Sequence, residues 1–243
     1  MIKVCVVSNS VVLSKAIGIN LISKGYYVNH VFPHVLDNGL DDYNALILDY
    51  DGIKKLNGEE VESILDKLSK VNKNILIITS EKSTEKLKNF LLKGVKGIID
   101  SSLNQFEIGE KAYEIIQTFQ FQDTDKRKHY RVKVDYGILR IEIGQDKTIE
   151  GKIFDISAGG VSAVFNKEEE SNMLINNKAY NCKVIFGNIV ISTKIFLVRR
   201  EGTFCGFKFF GLQDRDLKTL SEFIFHSIIE ETYGKEIQKS RVS

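Results

Sequence analysis

Two short stretches of this chain carry residue types that could do chemistry. The first is KRKHYRVKV, where Lys126, Arg127, Lys128, Arg131 and Lys133 put five cationic side chains within eight positions. The second is DISAGG at residues 155–160, with Asp155 and Ser157 two positions apart and Gly160 closing the stretch. Arginine suits phosphate and planar acceptor edges because its guanidinium is a rigid, always-charged fork of donors. On an extended segment, positions i and i+4 point to the same side, so Arg127 and Arg131 could close on one anion like a clasp. The same two-residue period puts Asp155 and Ser157 on one face, offering a carboxylate acceptor beside a hydroxyl that can donate or accept. By themselves the cations fit three uses: a solvated strand edge that discourages pairing with other chains, a nucleic-acid patch, or a site for one compact anion. A formal net charge of +2 and a run whose one aromatic is Tyr130 weigh against nucleic acid.

Other candidate groups are weaker. His30 and His34 have a metal-like spacing, but Pro33 breaks any helix between them and no third ligand is in view, so structural or surface histidines are expected and no metal or cofactor. Cys5, Cys182 and Cys205 are odd in number and widely spaced, as for buried free thiols in a reducing compartment. No neighbour in sequence would lower their pKa, and no catalytic constellation accompanies them, so an enzyme is not expected. The apolar run at the N-terminus is too short for a signal peptide, and no stretch reaches the roughly 18 apolar residues of a membrane span. A cytoplasmic protein without membrane insertion is the expectation.

The elements that must position these residues divide the chain in two. In the first half, residues 2–8 form a near-continuous apolar run, as for a strand buried on both faces. Helix signals follow over 11–24, with Gly25 as the stop. Strands are predicted over 26–32, 44–52, 74–80 and 94–100. Between them come an amphipathic helix with Val61, Ile64, Leu65, Leu68 and Val71 on one face, and helices over 83–93 and 104–119. Five strands alternating with helices imply a doubly wound parallel sheet with right-handed crossovers.

From about residue 120 the strand signals come without helices between them. Strands are predicted over 130–143, with Gly137 as a candidate bulge, 148–157, 160–165, 179–186, 189–200 and 203–211. A tight two-glycine bend joins the second to the third, residues 167–178 read as a polar loop, and a GN turn marks a hairpin at Gly187. Phe207 and Phe209 are expected in the core and His129 on the surface. Residues 214–233 form a helix with Leu217, Leu220, Phe223, Ile224, Ile228 and Ile229 as its apolar stripe. Six antiparallel strands and a covering helix predict a small all-β barrel, which closes its own edges. The boundaries so drawn are an α/β domain over 1–119, a linker over 120–126 and a barrel domain over 127–243.

Arg127 and Arg131 fit R-x-x-x-R, and Asp155, Ser157 and Gly160 fit D-x-S-x-x-G. In that order and in a β context they resemble the PilZ domain, over about residues 120–235. The resemblance implies a receptor for cyclic di-GMP, bound by Arg127, Arg131, Asp155, Ser157 and Gly160. Lys126, just before the first arginine, is at the position that bears on whether one or two messenger molecules stack. Gly160 is expected where a side chain would obstruct the ligand or strain a left-handed turn. The resemblance further implies an unknown downstream protein partner in motility, adhesion or envelope regulation. A barrel that has lost its ligand and serves only as an interaction module is the alternative.

The first half resembles the receiver domain of response regulators, but departs from it where the chemistry lies. Ser8 and Asn9 stand where that family has a magnesium-holding acid pair, and Ser101 stands where it has a lysine. Asp49 matches the phosphoacceptor, and Thr79 or Ser80 the conserved hydroxyl. Without hard oxygen ligands and the cation, a transferring phosphoryl group lacks its neutralising partners. Asp49 is therefore read as a structural carboxylate, with a phosphorylation-responsive regulator as the other reading.

Overall fold

The computed structural model describes residues 1–35, 40–57, 60–71, 74–121, 128–144 and 147–240. The chain divides into two compact units, one of Met1–Lys128 with Phe225–Ser243, the other of His129–Ile224.

The first unit is built on five parallel strands, β1 (Lys3–Val7), β2 (Tyr27–Val31), β3 (Ala45–Asp49), β4 (Ile75–Thr79) and β5 (Val95–Asp100), in the order β2-β1-β3-β4-β5. This is a receiver-like, doubly wound sheet. Helices α1 (Val11–Ser23), α2 (Tyr50–Asn57), α3 (Glu60–Val71), α4 (Thr84–Leu92) and α5 (Gln105–Gln117) make the crossovers. All residues of β3 and β4 are buried, as their apolar runs require. Two expectations need correction. The third strand stops at Asp49, and Tyr50 opens a helix; Tyr50 is buried, with its ring 4.9 Å from that of Phe90, so tertiary packing ends the strand early. The third crossover is also two helices, α2 and α3, and not one.

The same unit includes the end of the last helix, α7 (Asp214–Ser240). Phe225 is 1% exposed, and a Cβ on Gly18 of α1 would lie 2.4 Å from its ring, so glycine at position 18 makes room for the phenylalanine. Thr232 donates to Asn29 Oδ1 at 3.3 Å, and Tyr233 donates to the His30 carbonyl at 3.3 Å. The barrel domain drawn from the sequence ran to residue 243; by packing, the chain re-enters the α/β unit at Phe225.

The second unit is a closed antiparallel barrel. Its strands are β7 (Gly137–Glu142), β8 (Thr148–Ser157), β9 (Gly160–Phe165), β10 (Ala179–Phe186), β11 (Ile189–Glu201) and β12 (Phe204–Phe210). They pair as β8-β7-β10-β11-β12-β9, and β9 returns to β8 to close the ring. Leu139, Ile141, Ile153, Ile156, Val161, Phe165, Ile195 and Phe207 are buried in it, as are Leu220 and Ile224 of α7, and Phe223 of that helix lies 4.6 Å, ring to ring, from Phe186. The single strand predicted over 130–143 is two. β6 (Val132–Lys133) pairs with one end of β8, the chain bends at Asp135 and Tyr136, and β7 pairs with the other end. The stretch predicted as a loop contains a five-residue helix, α6 (Glu168–Asn172), anchored where Ser171 donates to the Gly202 carbonyl.

Candidate functional site

The cationic stretch enters the barrel at Arg131, one residue before β6. Its Nη1 donates to Asp155 Oδ1 at 2.8 Å, with the arginine side chain 36% exposed and the aspartate 17%. The Ser162 hydroxyl donates to the same oxygen at 2.8 Å. Lys126 and Arg127 lie outside the described residues.

Local geometry explains why Asp155 faces outward. Across β8 and β9 the register pairs Ile153 with Ala163 and Asp155 with Ser162, leaving Phe154 as the extra residue of a β-bulge. Strict alternation would have sent Asp155 inward beside Ile153. With the bulge, Ile153 and Ile156 are buried, and Phe154 and Asp155 both lie on the outer face. Lys133 of β6 pairs with Asp155 from the other side, is exposed, and so belongs to the same outer row as Arg131's partner.

The turn between β8 and β9 is held from several sides. Ser157 is 3% exposed and donates to the Gly160 carbonyl at 3.2 Å, so its hydroxyl staples the turn. A Cβ on Gly160 would lie 2.1 Å from the Phe207 carbonyl oxygen of β12. The reason for glycine is thus the close approach of a neighbouring strand; the left-handed glycines of the barrel are Gly187, Gly202 and Gly211. His129, expected on the surface, is half-buried with its ring against Gly159, where a Cβ would meet it at 2.5 Å.

Ser162 and Lys133 were missed from the sequence. Ser162 was within reach of a register argument: a two-residue turn pairs Ser157 with Gly160, which sets Asp155 opposite Ser162. What this arrangement can do is bind a planar anion with donors. The Arg131 guanidinium and the buried Ser162 hydroxyl bond one partly exposed carboxylate, and Lys133 is exposed on the neighbouring strand, so charge-assisted donors and an acceptor for N–H groups are close together.

The α/β unit has a depression of about 1140 Å³ at the C-terminal ends of its strands, lined by Asp49, Asp51, Lys54, Ser80, Ser101 and Phe106 among others. Parallel sheets of this strand order place ligands at that end. Here the carboxylates are taken up by the protein. Ser8 donates to Asp49 Oδ2 at 2.6 Å, and the Gly52 amide donates to Asp49 Oδ1 at 3.0 Å. Asp51 accepts the Thr79 hydroxyl at 2.8 Å, the Ser80 amide at 2.5 Å and the Ser101 hydroxyl at 2.7 Å. Burial alone would raise the pKa of Asp51, but the donors from Ser101, Ser80 and Thr79 outweigh it and hold the carboxyl below its ordinary value. Asp51 was not singled out in the sequence, where the strand was read through to residue 52; it is placed by the helix that starts at Tyr50.

The remaining titratable candidates are structural. Burial pushes the Cys5 thiol far up, Cys182 to about 12 and Cys205 to about 11, so none is a thiolate at neutral pH. His30 is 1% exposed with Nε2 2.8 Å from the Ser8 carbonyl, which fixes the proton on Nε2; burial lowers its pKa despite that bond. Among the described residues no cluster of His, Cys, Asp or Glu could hold a metal ion, and no helix is long and apolar enough to cross a membrane.

A receiver-like sheet and a closed antiparallel barrel, with Arg131 bonded to Asp155 on β8, make up the two units. Residues 125–226 match the family model of the PilZ domain. No curated protein matches the chain. Among solved structures, it is similar to the PilZ domain of YcgR from Escherichia coli with c-di-GMP, at 15% identity over 47% of this chain and 98% of that one, TM-score 0.39. It is also similar to the non-phosphorylated HemR receiver domain from Leptospira biflexa, at 12% identity over 50% of this chain and 99% of that one, TM-score 0.42. A two-component response regulator from Clostridium difficile is similar at 16% identity over 49% of this chain and 98% of that one, TM-score 0.37.

Proposed function

We propose that this protein is a cytoplasmic receptor for cyclic di-GMP, bound on the outer face of the barrel, and that it acts by contact with another protein and not as an enzyme. The observation that carries the reading is the Arg131–Asp155–Ser162 cluster at the mouth of a PilZ barrel. The ligand has two phosphodiester charges and two guanines. Arg131, with Arg127 and Lys126 from the preceding segment, meets phosphate oxygens or the O6 and N7 acceptors of guanine. Asp155 accepts from the guanine N1 and N2 donors, while Ser157 and Gly160 hold the turn that presents it.

Binding draws the segment bearing Lys126 and Arg127 against the barrel. That segment also links the two units, so the ligand changes how the α/β unit is held and thereby what partner it presents. The carboxylates of the α/β unit are tied to the protein's own hydroxyls and amides, which supports a partner-docking role for it and a structural role for Asp49.

Titration calorimetry with cyclic di-GMP tests the reading. Saturable binding by the native chain that is weakened in Arg127→Ala and in Arg131→Ala is the expected result. A native protein that gives neither heat nor a ligand-dependent rise in melting temperature overturns it.

A further inference from the structure

At the bulge in β8 a second side chain lies outward beside Asp155. Phe154 is 49% exposed, unusual for a phenylalanine on a barrel wall. Its ring meets Phe204 edge-on, with centroids 5.8 Å apart and planes at 81°. The face of Phe204 is already covered by the Arg199 guanidinium, 6.0 Å from its centroid. Phe154 is thus the ring left open to solvent, and Phe204 is the wall that holds it upright. Consecutive Cα atoms are about 3.8 Å apart, so a flat group whose edge is hydrogen-bonded by Asp155 has Phe154 within contact distance.

We infer that Phe154, backed by Phe204, is a stacking surface for one guanine base of the bound messenger. The inference rests on the receptor reading above and adds to it a base contact that lies outside both sequence motifs. An aromatic face accepts any nucleobase, and removing such a stack weakens binding at least about tenfold, or about 1.4 kcal/mol.

The chain contains no tryptophan, so Phe154→Trp installs a single indole reporter at the proposed contact. On titration with cyclic di-GMP its emission is expected to be quenched, saturating at the affinity that calorimetry gives for the native chain. Phe154→Ala is expected to lose tenfold or more in affinity while its melting temperature stays near native. Native-like affinity in Phe154→Ala, or an indole whose emission ignores saturating ligand, overturns the stacking role. The receptor reading survives either of those results, because it fails on a different one: no binding by the native chain.

Discussion

Arg131 and Asp155 are joined at 2.8 Å across the entrance to the barrel, and Ser162 bonds the same carboxylate oxygen at the same distance. The pair is partly exposed, so as a stabilising contact it is worth only about 0–1 kcal/mol. Its value lies in orientation: each partner holds the other where a planar ligand would find both.

Arg131→Ala should therefore separate binding from folding. Affinity for cyclic di-GMP is expected to fall by about 1.5–3 kcal/mol, the worth of a lost charged hydrogen bond. The melting temperature should hardly move. Arg131→Lys is not expected to restore affinity, since a point charge does not reproduce a planar fork. Calorimetry beside a thermal melt checks this, and full affinity in the lysine variant would show that charge alone suffices.

Gly160→Ala should do the reverse. A methyl 2.1 Å from the Phe207 carbonyl must push β9 from β12. A loss of several kcal/mol is expected, at the upper end for a single substitution, with or without ligand. Denaturant unfolding measures it. A variant as stable as the native chain would mean that the strands separate at little cost, and that the glycine is there for the ligand.

Much of the fold was legible because buried parallel strands read as unbroken apolar runs and barrel strands as alternation. What was not legible depended on partners distant in sequence. Nothing in DYDG shows that Tyr50 packs on Phe90 and ends β3, so Asp51 was not recognised as the acceptor of donors 28 and 50 residues away. In KIFDIS the adjacent apolar pair Ile153–Phe154 breaks the alternation, but only the register against β9 shows that the break is a bulge and that Asp155 faces out. Arg131 and Asp155 stood out because their motifs are local, and the structure joins them. Ser162 and Lys133 did not stand out because they come beside Asp155 only through strand pairing. Likewise the apolar stripe of α7 was visible, but not that Phe225 serves the α/β unit.

That assignment of Phe225 has a direct test. The side chain is fully buried against Gly18, and truncating a buried phenylalanine costs about 3–5 kcal/mol. Phe225→Ala should lower the protection of α1 amides against hydrogen exchange. If α1 keeps native protection while only barrel amides lose it, Phe225 belongs energetically to the barrel.

Asp51 gives a prediction in pH. Its folded pKa lies below the ordinary value, so its ionised form stabilises the fold above that value, and the contribution is lost as pH falls through the folded pKa. Asp51→Asn should thus be less stable than the native chain at neutral pH, by about 1–3 kcal/mol for the weakened hydrogen bonds. The difference should narrow as pH drops below the usual carboxylate range, where the native side chain is itself protonated. Urea unfolding of both proteins at neutral and strongly acidic pH reads this directly. A difference that stays constant across that range would mean that the donors from Thr79, Ser80 and Ser101 do not depend on the carboxylate charge, and that Asp51 acts by shape alone.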